Sequence, residues 1–126
     1  FKNWLYPKFD RQDLTRWHWM CQHRKGLKLA KNTDIGAFTY VNAKYGVTIE
    51  EEVQIGSHCA IYSESTIDNK IGPVKICKNA KIGSHCTIMP NVTIGENSIV
   101  GAHSFVNGNI PANSVAWGIP AKVIKK

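Results

Sequence analysis

A β-branched aliphatic residue recurs at every sixth position in the C-terminal half of the chain. Because six is a multiple of two but not of 3.6, these side chains share one face of short strands and not a helical stripe. A six-residue period is typical of a parallel β-helix, in which each rung is a short strand and stacked rungs share a buried core. The aliphatic series is Ile76, Ile82, Ile88, Ile94, Val100 and Val106.

The same register extends towards the N terminus and contains two irregular steps. The step from Ile67 to Ile76 is nine residues, which predicts an insertion of three residues within 69–75. The second irregular step lies within 42–48. We therefore predict a β-helix over residues 29–110, flanked by an N-terminal segment, 1–28, and a C-terminal tail, 111–126. The upstream aliphatics in register are Leu29, Ile35, Ile49, Ile55, Ile61 and Ile67.

Asparagine and histidine dominate the third position after these aliphatics. Both tolerate the positive φ that a sharp corner demands, so we predict three strands and three corners per coil, which form a triangular column. On this register His103 stacks on His85 one rung away, at roughly 4.8 Å, whereas His58 falls on another face. The corner residues are Asn32, Asn79, Asn91, Asn97, Asn109, His58, His85 and His103.

The N-terminal segment differs in composition from the repeats. Its first nine residues are rich in aromatics and predict an irregular entry. Asp10 is placed to cap a helix that runs to about Arg24, and Gly26 is placed to end it. Leu14 and Trp17 would lie on one face of this helix. We predict a short helix that covers the open end of the coil.

One long run carries a family resemblance: IGSHCTIMPNVTIGENSIVGAHSFVNGNIPANSVAWGIPAKVIKK, residues 82–126. It resembles the C-terminal half of the left-handed β-helix, hexapeptide-repeat acyltransferases, and most of all the branch of galactoside, maltose and nodulation-sugar acetyltransferases. The resemblance covers residues 29–126. It implies a left-handed parallel β-helix, so the predicted fold is all-β, with the short N-terminal helix in front of the β-helix and an extended tail after it. It also implies a homotrimer with acetyl-CoA bound between subunits.

Charge and cysteine content narrow the partners. The net charge is +7, but the cations form no long block and no aromatics alternate with them across the repeats. We therefore expect no nucleic-acid partner, and the phosphates of coenzyme A explain a basic cleft more simply. There is no apolar run long enough for a membrane-spanning helix. Cys21, Cys59, Cys77 and Cys86 form no C-x-x-C pair, which indicates reduced thiols in a cytoplasmic protein and no metal.

The catalytic base is the point where the chain departs from the resemblance. Related sugar O-acetyltransferases carry a histidine after the strand equivalent to Ile61, but residues 62–70 contain none. Glu64 or Asp68 could take the proton of the acceptor or orient it. His85 could reach the cleft from the next coil, or no side-chain base is needed for a neutral amine. As ordinary structural residues, Glu64 would be a solvated corner carboxylate and His85 a positive-φ corner residue.

The resemblance also implies residues that contact the cofactor. Ser84 and Ala102 match the positions that contact the pantetheine arm. Asn107-Gly108 stands where the family often has Thr-Lys. Lys122 and Lys125 match basic tail positions that meet the nucleotide phosphates.

The function implied is an acetyl-CoA-dependent transferase that acetylates a hydroxyl or amine of a sugar or a nucleotide-linked amino sugar, in polysaccharide biosynthesis. A γ-type carbonic anhydrase shares this fold but needs three converging histidines. His58, His85 and His103 lie 27 and 18 residues apart, which does not match that pattern. A non-catalytic trimeric binding module is the remaining alternative.

Overall fold

The chain winds into a three-sided parallel β-helix of five stacked coils over the described part of the sequence. This computed structural model describes residues 3–125, so residues 1, 2 and 126 of the predicted flanking segments lie outside it. Each coil runs in turn along three sheets, termed faces A, B and C. The corners between them are named after the faces they join.

The strands pair in parallel from one coil to the next. Face A contains β1 (Met20–Gln22), β4 (Tyr40–Asn42), β7 (Ala60–Tyr62), β12 (Thr87–Ile88) and β15 (Phe105–Val106). Face B contains β2 (Leu27–Leu29), β5 (Val47–Ile49), β10 (Val74–Ile76) and β13 (Thr93–Ile94). Face C contains β3 (Asp34–Ile35), β6 (Gln54–Ile55), β11 (Lys81–Ile82), β14 (Ile99–Val100), β16 (Val115–Gly118) and the antiparallel β17 (Ala121–Lys125). A separate hairpin pairs β8 (Glu64–Ser65) with β9 (Lys70–Ile71).

The aliphatics counted in sixes form the core, as predicted. Ile76 pairs with Ile49 on one side and with Ile94 on the other, and all three are fully buried. Burying one such side chain contributes roughly 1.5–3 kcal/mol, so the stacked series is the main source of stability. The other fully buried members include Ile61, Ile88, Val100 and Val106.

The interruption after Ile61 is larger than predicted. The chain leaves the column after β7, forms the β8–β9 hairpin and returns at Val74. Ile67 lies in this hairpin and is 98% exposed, so its assignment to the buried register is wrong. Ile61 and Ile76 therefore belong to consecutive rungs separated by nine extra residues and not three.

The predicted N-terminal helix is wrong. Asp10 caps a turn instead, because its carboxylate accepts hydrogen bonds from the amides of Gln12 and Leu14 at 2.7 and 3.1 Å. The left-handed φ values of Asp13 and His18, 63° and 69°, break any helical continuation. The chain then enters β1, which pairs with β4, so the first coil begins near residue 20. Within residues 3–125, the helical structure is one 3-10 turn at Arg24–Gly26.

The early coils are longer than the later ones. Val41 pairs with Cys21 and with Ile61, twenty residues away on each side, whereas Ile88 and Val106 are eighteen apart. The extra residues lie at the A–B corner. The irregular stretch within 42–48 therefore widens that corner and stays in the wall of the column.

The corners carry ladders of like residues. Positive φ is confirmed at the predicted asparagines and histidines except Asn109, whose side chain instead accepts a hydrogen bond from the amide of Thr93 at 2.8 Å. His103 stacks on His85 with ring centroids 4.8 Å apart, which confirms that prediction. His58 stacks on His85 at 4.7 Å, so placing it on another face was wrong. His58 and His85 lie 27 residues apart. This is one eighteen-residue coil plus the nine residues of the hairpin, so the two histidines occupy the same corner.

The C-terminal residues continue the wall of the column. β16 pairs in parallel with β14, and β17 folds back on it through a turn at Ile119-Pro120. No helix over residues 3–125 combines the length and hydrophobicity of a membrane span.

Candidate active site

The β8–β9 hairpin holds Glu64 against the column at the A–B corner. Ser63 fixes the start of the hairpin to the column. Its hydroxyl donates a hydrogen bond to the carbonyl of Asn42 at 2.7 Å and accepts one from the amide of Tyr45 at 3.0 Å. The amide of Gly72 donates to the carbonyl of Ser63 at 2.9 Å and closes the hairpin. The first residue after this anchor is Glu64, which is therefore held by buried backbone rather than by a loose loop.

Glu64 and Asp68 lie at opposite ends of the hairpin. A carboxylate oxygen of Glu64 is 3.7 Å from Nζ of Lys44, and its side chain is only 22% exposed. Asp68 lies at the tip, where it accepts a hydrogen bond from Ser65 and lies 3.9 Å from Nζ of Lys70. Both partners of Asp68 belong to the hairpin itself. Of the two carboxylates, Glu64 is the one placed on the column wall.

His85 lies at a different corner from Glu64. It precedes β12 at the C–A corner, whereas the hairpin follows β7 at the A–B corner. Its imidazole is stacked between those of His58 and His103, with interplanar angles of 2° and 12°. The column continues upward through Phe38, 5.1 Å from His58. Within one subunit, the structure does not bring His85 and Glu64 together.

Ser84 and Ala102 lie one above the other at the C–A corner. Their backbones press on glycines of the preceding coils: a Cβ on Gly56 would come within 2.6 Å of the Ser84 nitrogen. A Cβ on Gly83 would come equally close to the nitrogen of Ala102. An open groove of about 380 Å³ runs along the adjoining outer face C and includes Ala102 in its lining. Successive coils therefore approach each other closely at this corner.

The remaining predicted cofactor residues lie elsewhere on the molecule. Asn107 and Gly108 follow β15 at the A–B corner and are exposed. Lys122 and Lys125 lie on β17 at the end of face C, where Lys122 pairs with Trp117. One subunit therefore distributes the predicted cofactor contacts over two corners and the end of face C.

Three residues around Glu64 were not predicted from the sequence. Lys44 belongs to the irregular stretch within 42–48, and that irregularity was the available signal. Tyr40 and Tyr62 lie on face A with ring centroids 5.7 Å apart, and the hydroxyl of Tyr40 donates to Oε1 of Gln22 at 2.6 Å. Burial, together with nearby Tyr62 and Glu64, raises the pKa of Tyr40, so its hydroxyl stays protonated at neutral pH.

Three of the four cysteines, Cys21, Cys59 and Cys86, are buried packing residues. Cys59 and Cys86 are buried at the small inward position and donate to the carbonyls of Gly83 and Gly101. Burial, reinforced by Asp13, raises the pKa of Cys21 to about 12, which keeps that thiol neutral and unreactive.

No group of three potential metal ligands occurs within residues 3–125. The three corner histidines form a stack of parallel rings and do not converge on a common point.

Comparison with known proteins places this column in a family. Residues 73–108 match the model described as bacterial transferase hexapeptide, six repeats. The chain is 31% identical over 111 residues to the galactoside O-acetyltransferase of Lactococcus lactis and 36% identical over 110 residues to that of Escherichia coli. These matches cover 76% and 75% of this chain, and it spans 54% of the length of each relative.

Solved structures share the fold. A hexapeptide-repeat-containing acetyltransferase from Vibrio cholerae, complexed with acetyl coenzyme A, superposes with a TM-score of 0.81 at 26% identity, over 86% of this chain and 64% of that one. A maltose O-acetyltransferase from Clostridium difficile gives a TM-score of 0.76 at 29% identity, over 86% of this chain and 63% of that one. The repeat spacing, the three-sided column and these matches agree, and the chain belongs to the hexapeptide-repeat transferase family.

Proposed function

We propose that the protein is an acetyl-CoA-dependent acetyltransferase that acetylates a hydroxyl or amine of a sugar or a nucleotide-linked amino sugar. The observation that carries the proposal is the superposition, over 86% of the chain, on an acetyltransferase complexed with acetyl coenzyme A. The identity to galactoside O-acetyltransferases supports a sugar acceptor.

The cofactor would lie between two subunits of a homotrimer. The C–A corner of one subunit, with Ser84 and Ala102, would form one wall. The A–B corner of its neighbour would form the other, which would bring Asn107 and Gly108 to the same ligand. Lys122 and Lys125 would meet its phosphates. This arrangement gives a reason for the distribution of these residues over separate corners of one column.

Glu64 is the base in this proposal. It would take the proton of the acceptor as the acceptor's oxygen or nitrogen attacks the carbonyl carbon of the thioester. The C–S bond then breaks, and the departing thiolate of coenzyme A accepts a proton. Lys44, 3.7 Å from the carboxylate, would orient Glu64. A carboxylate base is weaker than imidazole, which suits an amine acceptor better than a hydroxyl.

Surface-polysaccharide biosynthesis in the cytoplasm is the setting we propose. All four cysteines are free, and three are buried in the core, which fits a reducing compartment.

The test is acceptor-dependent release of coenzyme A. Purified protein is given acetyl-CoA and a panel of amino sugars and glycosides, and free thiol is measured. We expect release with at least one amino sugar, and binding of acetyl-CoA by calorimetry. A protein that neither binds acetyl-CoA nor releases thiol with any acceptor is a binding module, and the proposal fails.

A further inference from the structure

A basic groove lies at the A–B corner beside Glu64. It has a volume of about 460 Å³ and is lined by Asp13, His23, Arg24, Lys25, Gly26 and Lys44. Its floor depends on Gly26, because a Cβ there would overlap the carbonyl oxygen of Ala43. This close approach seats the 3-10 turn of the first coil directly on the widened corner of the second. The groove is thus built by the two extra-long coils.

The groove carries an excess of positive charge. Three of its lining side chains are cationic, Arg24, Lys25 and Lys44, and all three are exposed. The one acidic lining residue, Asp13, contacts Nε of Arg24 at 3.0 Å. Because a guanidinium has five N–H donors, that contact leaves the outer donors of Arg24 available for an anion. Arginine in such a position recognises phosphate through paired hydrogen bonds.

Lys44 connects this groove to the candidate base. It lines the groove, and its Nζ lies 3.7 Å from Oε1 of Glu64. An anion bound by Lys44 would therefore lie close to the Glu64 carboxylate. Tyr40 and Tyr62 flank the same corner on face A and offer aromatic rings for a sugar or a base.

We infer that the acceptor is a phosphate ester, whose phosphate or diphosphate binds Arg24, Lys25 and Lys44 while its sugar lies against Glu64. The inference rests on the proposed function for the role of Glu64, but the anion site itself does not. A sugar phosphate and a nucleoside diphosphate sugar share this chemistry.

The first experiment measures binding of inorganic pyrophosphate by calorimetry, first without coenzyme A and then with coenzyme A at saturation. We expect Lys25→Ala and Arg24→Gln each to weaken binding by about tenfold, since each removes one charge-assisted contact. Lys31→Ala is the matched control, because it removes the same charge from an exposed position outside the groove. Circular dichroism checks that each variant is folded.

Three results would overturn the inference. Pyrophosphate does not bind in the absence of coenzyme A, Lys31→Ala weakens pyrophosphate binding as much as Lys25→Ala does, or coenzyme A displaces pyrophosphate. The third result would assign the groove to the cofactor instead of the acceptor.

The second experiment compares KM for glucosamine, glucosamine 1-phosphate and UDP-glucosamine. We expect a lower KM for a phosphorylated acceptor, and a rise of about tenfold in that KM alone for Lys25→Ala. The acceptor with the lower KM, glucosamine 1-phosphate or UDP-glucosamine, shows whether the groove binds a sugar phosphate or a nucleoside diphosphate sugar. Equal KM values for all three would remove the inference and leave the proposed function standing. Absence of thiol release with every acceptor would remove the proposed function, and pyrophosphate binding alone would then decide the anion site.

Discussion

Gly83 shows how tightly successive coils approach at the C–A corner. A methyl group on Gly83 would lie 2.6 Å from the backbone nitrogen of Ala102, which a side-chain rotation cannot relieve. We expect Gly83→Ala to lower the free energy of unfolding by about 1–3 kcal/mol, as overpacking typically does. Urea unfolding followed by circular dichroism measures the change.

Gly108 is the matched control for that substitution. A methyl group there meets nothing within 4 Å. We expect Gly108→Ala to leave the free energy of unfolding unchanged or to raise it by a few tenths of a kcal/mol, through the unfolded chain. Equal losses in both variants would mean that the coils do not approach each other as described.

The roles of Glu64 and His85 can be separated by two conservative substitutions. Glu64→Gln keeps the shape but removes the base, and we expect kcat for thiol release to fall by about 100- to 10,000-fold. His85→Asn keeps a residue that tolerates the left-handed φ of 59°, and we expect kcat to stay near the wild-type value. The reverse ranking would make His85 the base and leave Glu64 a structural carboxylate.

At the scale of elements, the β8–β9 hairpin is the one insertion that leaves the column within residues 3–125. Removing residues 64–72 joins Ser63 to Pro73 and restores the six-residue step from Ile61 to Ile76. We expect the shortened protein to fold and to bind acetyl-CoA, because the core aliphatics and the C–A corner are kept. Acetyl transfer should be lost with Glu64.

For the shortened protein, circular dichroism measures folding, calorimetry measures acetyl-CoA binding, and the thiol assay measures acetyl transfer. Transfer at the wild-type rate would show that the hairpin takes no part in catalysis. Loss of acetyl-CoA binding in a folded variant would contradict the placing of the cofactor beside Ser84 and Ala102.

The elements that could be predicted are those set by a periodic core. Ile76 to Val106 repeat without a slip, and the structure stacks them as expected. The N-terminal coil was missed because its twenty-residue length breaks the period, and because Asp13 and His18 adopt positive φ that hydrophobic pattern does not encode. Ile67 was misassigned because an exposed isoleucine can fall in register by chance.

The candidate site was less predictable for a related reason. Glu64 followed from its position after Ile61, but its partner Lys44 comes from the preceding coil. Glu64 and Lys44 come together because their coils are stacked, and not because they are close in sequence. Glu64 also belongs to the nine-residue hairpin, which was predicted as an insertion of three residues. The same miscount placed His58 on the wrong face.

At the scale of the whole molecule, the predicted cofactor residues lie on exposed corners of the column and on its last strand. Lys122 on β17 is exposed, and we expect Lys122→Ala to weaken binding of coenzyme A by about tenfold through loss of a phosphate contact. Lys8→Ala is the control, since Lys8 is also exposed and lies in the N-terminal segment. Calorimetry gives both affinities. An unchanged affinity in the Lys122 variant would remove that residue from the site.

A crystal structure of the protein with bound coenzyme A would show whether the cofactor lies between the corners of two columns. We predict three columns around one axis, with the pantetheine arm along Ser84 and Ala102 of one copy and the A–B corner of the next copy opposite. Coenzyme A bound away from these corners, or a lone column whose corners face only solvent, would contradict it.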